Sequence, residues 1–208
     1  MDTPKPHRIS VKNLIDICLK QGDLSSGYTS RTRALDGIRE HIRQQNMRPE
    51  NYQKEVSVST LVEDPPITLE VFGRIDGVLE SENKTTIEEI KTCVSPAREK
   101  AETPSPMHLA QLKCYGHMFA SKQKLDSVLL VLTYVRVGSQ TSAEVKKEYP
   151  AAELALFFNG LVNIYLKILQ DRSRWQALRN HSIDKLNFPY PDFRGGQRKL
   201  SESVYKVI

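Results

Sequence analysis

Asp76, Glu89 and Lys91 have the residue types and spacing that suit chemistry on a phosphate ester. They fall within residues 71–93, VFGRIDGVLESENKTTIEEIKTC, where two runs rich in β-branched and apolar residues flank the polar segment ESENK. Such runs around a turn-forming segment predict an antiparallel hairpin. Side chains alternate across a strand with period two, so Glu89 and Lys91 share one face with Ile87, while Glu88 and Ile90 take the other. Removal of Glu88 should therefore be mild for cleavage by comparison with removal of Glu89. Asp76, near the middle of the first strand, approaches the Glu89 face across the hairpin. Carboxylate oxygens are hard donors suited to Mg²⁺ or Mn²⁺. An amine beside such an ion orients or deprotonates an attacking water. In a chain with 26% charged residues the same pattern also describes a surface ion pair on a solvated hairpin, so the flanking elements have to decide.

The 208 residues suffice for one domain with its own core. Hydrophobic residues make up 39%, and 30 Lys and Arg against 25 Asp and Glu leave a net charge of +5. This is the composition of an ordinary soluble protein, permissive of polyanionic partners. No unbroken apolar run reaches the ~18 residues of a membrane span, and MDTPKPHRIS lacks the apolar centre of a signal peptide. The expectation is a cytoplasmic protein, at the nucleoid if prokaryotic, with no membrane partner. Cys18, Cys93 and Cys114 are far apart and form no C-x-x-C pair, which reads as reduced thiols.

In chain order, Ser10 is placed to cap a helix running to about Gln21 and closed by Gly22, with Val11, Leu14, Ile15 and Cys18 as one buried stripe. After the loop GDLSSGYTS, Ser30 is placed to cap a second helix through Gln45, with Leu35, Ile38 and Ile42 inward. His41 on that helix turns toward the buried side, either as a satisfied histidine at the edge of a core or as a ligand. Gly37, one turn earlier, costs about 1 kcal/mol of helix stability relative to Ala, which implies a close approach. Residues 52–62 read as a strand with Glu55 near its start, making a three-stranded meander with the hairpin. VSPAREKAETPSP reads as a mobile loop in which Arg98 and Lys100 are placed to meet phosphates. A helix from Pro106 to about Lys122 carries His108, Gln111 and Tyr115 on one polar stripe and Leu109, Leu112 and Phe119 toward the core. SVLLVLTYVRVG is a strand buried on both faces. The polar stretch GSQTSAEVKKEY leads to Pro150, which opens a long, substantially buried helix to about Arg179.

The order of these pieces carries more than any one of them. A helix with Gly37-x-x-x-His41 precedes strands bearing Glu55, Asp76 and Glu89-Ile90-Lys91. A helix with Gln111-x-x-x-Tyr115 and an apolar strand follow. This order resembles the PD-(D/E)XK nuclease superfamily, most closely its RecB-type branch, over about residues 9–180. The resemblance implies an α/β fold with a restriction-endonuclease-like core, a mixed central sheet of about four strands flanked by helices. It implies His41, Asp76, Glu89 and the Ile90 carbonyl as metal ligands, Lys91 as the catalytic lysine beside Asp76 and Glu89, and Gln111 and Tyr115 as residues that position DNA and the active site. An imidazole ligand favours Mn²⁺ over Mg²⁺, and Glu55 is a weaker candidate for a second metal or a supporting role. Ile75 stands where the superfamily name has proline. The cysteine quartet of iron–sulfur relatives is missing, so no cluster is expected.

The tail FPYPDFRGGQRKLSESVYKVI resembles the opening of helicases related to XPD and DinG, with Arg194 and Gln197 matching an adenine-contacting Q-motif. No G-x-x-x-x-G-K-[ST] phosphate loop occurs in the 208 residues. A Pro-rich connector before an amphipathic helix is the other reading of the tail. The expectation is a nuclease domain over 1–185 followed by the start of a helicase domain over 186–208 in the same polypeptide. ATP binding is expected only in the full-length helicase. The implied activity is a metal-dependent deoxyribonuclease, an exonuclease on single-stranded DNA serving repair or defence. The rival classes are a catalytically silent module that binds single-stranded DNA for the helicase, and a purely structural domain.

Overall fold

The computed structural model describes residues 6–20, 31–81, 84–139, 141–187 and 191–206, with 31–34 as backbone only. The elements are β1 (His7–Ser10), α1 (Val11–Leu19), α2 (Arg31–Asn46), β2 (Tyr52–Asp64), β3 (Ile67–Ser81), β4 (Lys84–Cys93), α3 (Ala97–Glu102), α4 (Pro106–Gln123), β5 (Ser127–Arg136), β6 (Ser142–Pro150), α5 (Ala151–Asp184) and α6 (Gln197–Tyr205). The chain divides into two compact units, Met1–Lys167 and Ile168–Ile208, and the division falls within α5.

The first unit is α/β, built on a mixed sheet of six strands in which β1 and β4 flank one edge of β3, β2 lies on its other edge, and β5 and β6 continue beyond β4. Four strands were too few, and the two extra ones have readable causes. β1 is four residues long, too short to show a period, and runs parallel to β3 from His7↔Leu69 to Ser10↔Phe72. β6 is the sheet's outer strand, and its lysines, which read as loop, are how an edge is kept from pairing with other chains. The residues expected as a loop after β4 also contain α3, tied down by buried Ala97.

Ser10 Oγ accepts from the Asn13 N–H at 3.2 Å and starts α1, whose Val11, Leu14 and Ile15 are fully buried. Gly22 and Ser30, expected as caps, lie outside the described residues, as do Glu82 and Asn83 of the hairpin turn. Core residues from α1, the sheet, α4 and the start of α5 form one cluster that includes Leu14, Leu69, Ile87, Leu112 and Phe158. Each such side chain taken from water contributes about 1.5–3 kcal/mol. The first half of α5 buries Leu154, Phe158, Leu161, Val162 and Leu166, but Ile164 and Ile168 are exposed and so is every residue from 170 to 184. Its burial is therefore much less complete than its composition suggests. An 18-residue window of α5 has a mean hydropathy of 1.4, enough by length and composition to cross a bilayer, as core helices also are.

α2 departs further from expectation. Leu35, Ile38 and Ile42 are half-exposed, at 50%, 56% and 51%, while Gln44 and Gln45 are buried. The helix turns a polar face inward because the partners waiting there are polar. Arg48, just past its end, makes a bidentate ion pair with Glu88 of β4 and reaches Thr133 and Glu144 as well. Tyr52 donates to the same Glu88 carboxylate at 2.7 Å, and Thr133 donates to its other oxygen. Glu88 is 3% exposed, so its removal bears on stability, a separate matter from the mild effect on cleavage expected of it. It is the buried node joining α2, β2, β4, β5 and β6.

Removing one partner of a buried pair leaves the other charge uncompensated, so Arg48→Met or Glu88→Ala should cost about 3–5 kcal/mol in urea unfolding. The double variant should recover much of that loss. A cost below about 1 kcal/mol, the range of surface pairs, would show that the network anchors nothing.

Candidate functional site

β3 is paired along one edge by β2 from Tyr52↔Leu79 to Asp64↔Ile67. Its other edge is shared, with β1 holding residues 69–72 and β4 holding 77–81. Residues 73–76 between them have no strand partner on that side among the described residues. The hairpin ladder ends at Gly77↔Glu88, and β3 and β4 fork there. Asp76 is the first residue in the fork. Its Oδ2 accepts from the Ile90 N–H at 2.7 Å, so a carboxylate takes over where the main-chain ladder stops. Glu55 sits opposite Asp76 on β2, between the pairs Lys54↔Gly77 and Val56↔Ile75, with a left-handed φ of 56°. A non-glycine residue there carries strain, which persists where the surroundings fix it. Arg74 Nε at 2.6 Å and Gln45 Nε2 at 2.8 Å hold the Glu55 carboxylate. Gln45 also donates to the Asp76 carbonyl at 2.8 Å.

His41, one turn before Gln45 on α2, completes the group. Its Nε2 stands 3.6 Å from Asp76 Oδ1 and 4.0 Å from Glu55 Oε1, and ligating atoms of these three residues all lie within 4.8 Å of one another. Gly37 allows the helix this close, since a Cβ there would stand 3.1 Å from Thr92 Oγ1. His41 Nε2 and Glu89 Oε2 are the buried side-chain polar atoms that lack a hydrogen-bond partner among the described residues. Ligands about 2.1 Å from an octahedral ion stand about 3 Å apart when adjacent and about 4 Å when opposite. The spacings at His41 fall in that range and are too long for direct hydrogen bonds. The residues present fit a divalent cation.

The set differs from the expected one. Glu55, the weaker candidate for a metal or a supporting role, belongs to the close group, and Glu89 lies outside it. Glu89 Oε1 instead meets Lys91 Nζ at 2.7 Å, on the shared strand face. Burial and the nearby Asp76 carboxylate push Glu89 up to about 8, against the pull of Lys91. Burial also raises Asp76, opposed by the Ile90 N–H, His41 and Lys91. Ile90 itself is buried and lines the cleft described next.

Lys91 Nζ also donates to Gln111 Oε1 at 3.0 Å, and Gln111 Nε2 donates to the Tyr115 hydroxyl at 3.3 Å. Tyr115 packs under Gly73, where a Cβ would come within 2.6 Å of its ring. At 5% exposure it stands behind Gln111, the residue that holds Lys91. From this point a cleft of 810 Å³ opens past His41, Lys91, Lys100, Ser105, His108 and Tyr134. Lys100 is thus brought to the site, whereas exposed Arg98 pairs with Glu102 at 3.3 Å and does not line the cleft. Arg194 and Gln197 are exposed residues of the second unit, where Gln197 Oε1 accepts from the Arg194 N–H at 3.1 Å.

Sequence reasoning missed Gln45, Arg48, Tyr52 and the His108–Tyr134 pair. The signal for the first two was the polar spacing 41-45-48 along α2 and just past its end, which competed with a stronger apolar stripe.

No protein-family model and no curated protein matches the chain. Solved structures similar to it include SSO0001, with TM-score 0.48 and 19% identity over 77% of this chain and 77% of that one. LHK-Exo in complex with dAMP is similar at TM-score 0.47 and 14% identity, over 84% of this chain and 94% of that one. The likeness is one of outline, and the chemistry of this chain rests on its own residues.

Glu89 is raised above its unfolded value of 4.5 to about 8. Its contribution to stability is therefore full below 4.5 and lost as pH rises through about 8. Cation binding that draws on this carboxylate displaces its proton, so Mn²⁺ affinity should climb toward about pH 8 by up to about tenfold per pH unit and then level off. Calorimetry in buffers of different ionisation heat reads the released proton. A flat affinity over that window would remove Glu89 from the centre.

Proposed function

We propose that this chain is a metal-dependent DNA nuclease that hydrolyses phosphodiester bonds. The observation that carries the reading is the fork between β3 and β4. There His41, Glu55 and Asp76 converge, two buried polar atoms lack partners among the described residues, and Lys91 is held beside them at the end of a cleft. A divalent ion, Mg²⁺ or Mn²⁺, supplies Lewis-acid polarisation of a phosphate and a water acidic enough to attack near neutral pH. His41, Glu55 and Asp76 would hold it, with Glu89 and the Ile90 carbonyl next to them. Glu89 and Gln111 fix the Lys91 ammonium, which places positive charge where negative charge develops on the phosphate. Lys100 extends that positive wall along the cleft. The occupant we favour is single-stranded DNA.

Asp76→Asn and Lys91→Ala should each lower cleavage of end-labelled DNA in Mn²⁺ by about 10²-fold or more while leaving binding largely intact. His41→Ala should weaken Mn²⁺ binding and be partly rescued by excess ion. Binding without cleavage by the wild type, in either ion, would make the chain a silent DNA-holding module instead.

We further propose that residues from 186 onward belong to a helicase region whose Arg194 and Gln197 read adenine once a phosphate-binding loop is present. The Arg-x-x-Gln spacing supports this. Deleting 187–208 should then leave cleavage by the first unit unchanged, and ATP should alter neither binding nor rate. Loss of activity on that deletion, with the fold intact, would overturn the division.

A further inference from the structure

One constellation in the cleft is used by none of this chemistry. Tyr134 of β5 is buried at 1% exposure, and its hydroxyl oxygen accepts from the Ser105 N–H at 3.0 Å. The same hydroxyl stands 2.9 Å from His108 Nδ1, with the two rings tilted at 46°. A buried hydroxyl must place its own proton, and His108 Nδ1 is the acceptor within reach among the described residues. Tyr134 therefore donates to Nδ1. A neutral imidazole has one acceptor nitrogen and one N–H, so this bond sends the proton to Nε2. Nε2 has no partner among the described residues and is absent from the buried unpaired atoms, so solvent in the cleft reaches it.

We infer that His108 is a backbone-binding residue of the cleft, its Nε2–H donating to a phosphoryl oxygen of the bound strand, with Tyr134 and the Ser105 N–H as positioning groups that fix the tautomer. The inference rests on the nuclease reading above and adds a phosphate subsite to it. Lys91 and Lys100 line the same cleft, so an anion is the ligand favoured there. Burial first, then those two lysines, hold His108 down to about 4. The ring stays neutral and presents one fixed donor, suited to holding a phosphate rather than delivering a proton. The sequence placed His108 on a polar stripe of α4 with Gln111 and Tyr115; His108 lines the cleft, and the other two stand behind Lys91.

The test uses the full chain with a short, fluorescently labelled single-stranded oligonucleotide in chelator, so that nothing is cut. A hydrogen bond from a neutral donor to a charged acceptor is lost in His108→Phe, which should bind about tenfold more weakly or worse. His108→Gln keeps an N–H near the same place and should stay within about threefold of wild type. ¹⁵N–¹H spectra of the histidine rings should show His108 as the Nε2–H tautomer, with that signal moving on addition of the oligonucleotide. Tyr134→Phe should mix the tautomers and weaken binding to an intermediate degree. An Nδ1–H tautomer in the wild type would overturn the inference. So would wild-type binding by His108→Phe while the unaltered chain cleaves DNA in Mn²⁺, and that result would leave the nuclease reading standing. A wild type that neither binds nor cleaves would remove both.

Discussion

The pairing of Arg48 with Glu88 is the constraint on which the arrangement depends. It fastens the end of α2 to the centre of the sheet, and Tyr52, Thr133 and Glu144 satisfy the remaining polar atoms. A charge pair this buried is no economical way to gain stability, since apolar residues of like volume often do as well. Its value is in position. His41 lies two turns upstream of Arg48 on the same polar face, so fixing Arg48 sets how deeply His41 enters the fork. Glu88 and Glu89 thus divide by strand alternation, one locking the helix and the other facing Lys91 and the fork.

The fork is the second constraint, and it follows from β3 being longer than either partner on its divided edge. A strand that loses its ladder leaves main-chain groups to be satisfied. Asp76 does this for Ile90, and the Tyr115 ring packs against Gly73 in the same gap. Each substitution brings a functional side chain into the gap at a position fixed by backbone geometry. The left-handed Glu55 belongs to the same logic. Both its neighbours on β2 stay in register with β3, so one residue absorbs the distortion.

Much of this was legible because alternation and helix period leave few choices. The hairpin, the shared face of Glu89 and Lys91, the Ser10 cap and the stripe of Val11, Leu14 and Ile15 follow directly from spacing. The Gln111–Tyr115 pair reads as one helix face. What failed did so where apolar content was taken as the guide to burial. Leu35, Ile38 and Ile42 suggested the inner face of α2, but the sheet opposite them offers Glu88, Glu55 and Asp76, and a helix buries whatever its partner satisfies. The lysines of β6 hid a strand for the converse reason. Glu55 was undervalued because one left-handed residue in a strand leaves no trace in a β-period, and the fork itself depends on pairings far apart in sequence.

The atoms unpaired among the described residues mark where a cation would be accommodated. Leaving a buried polar group unsatisfied costs about 1–3 kcal/mol, and more when it is charged. His41 Nε2 and Glu89 Oε2 are placed in that condition beside two further carboxylates, with Gln45, Arg74 and Lys91 holding the neighbours in place. Such a cluster is destabilising by itself, and the surrounding core and the Arg48 network keep it from relaxing. A ligand that binds the folded state alone stabilises it by mass action. A cation at this point would neutralise the repulsion between Asp76 and Glu89 and engage the orphaned nitrogen together. Strain at the site and affinity for the ion are then two sides of one arrangement.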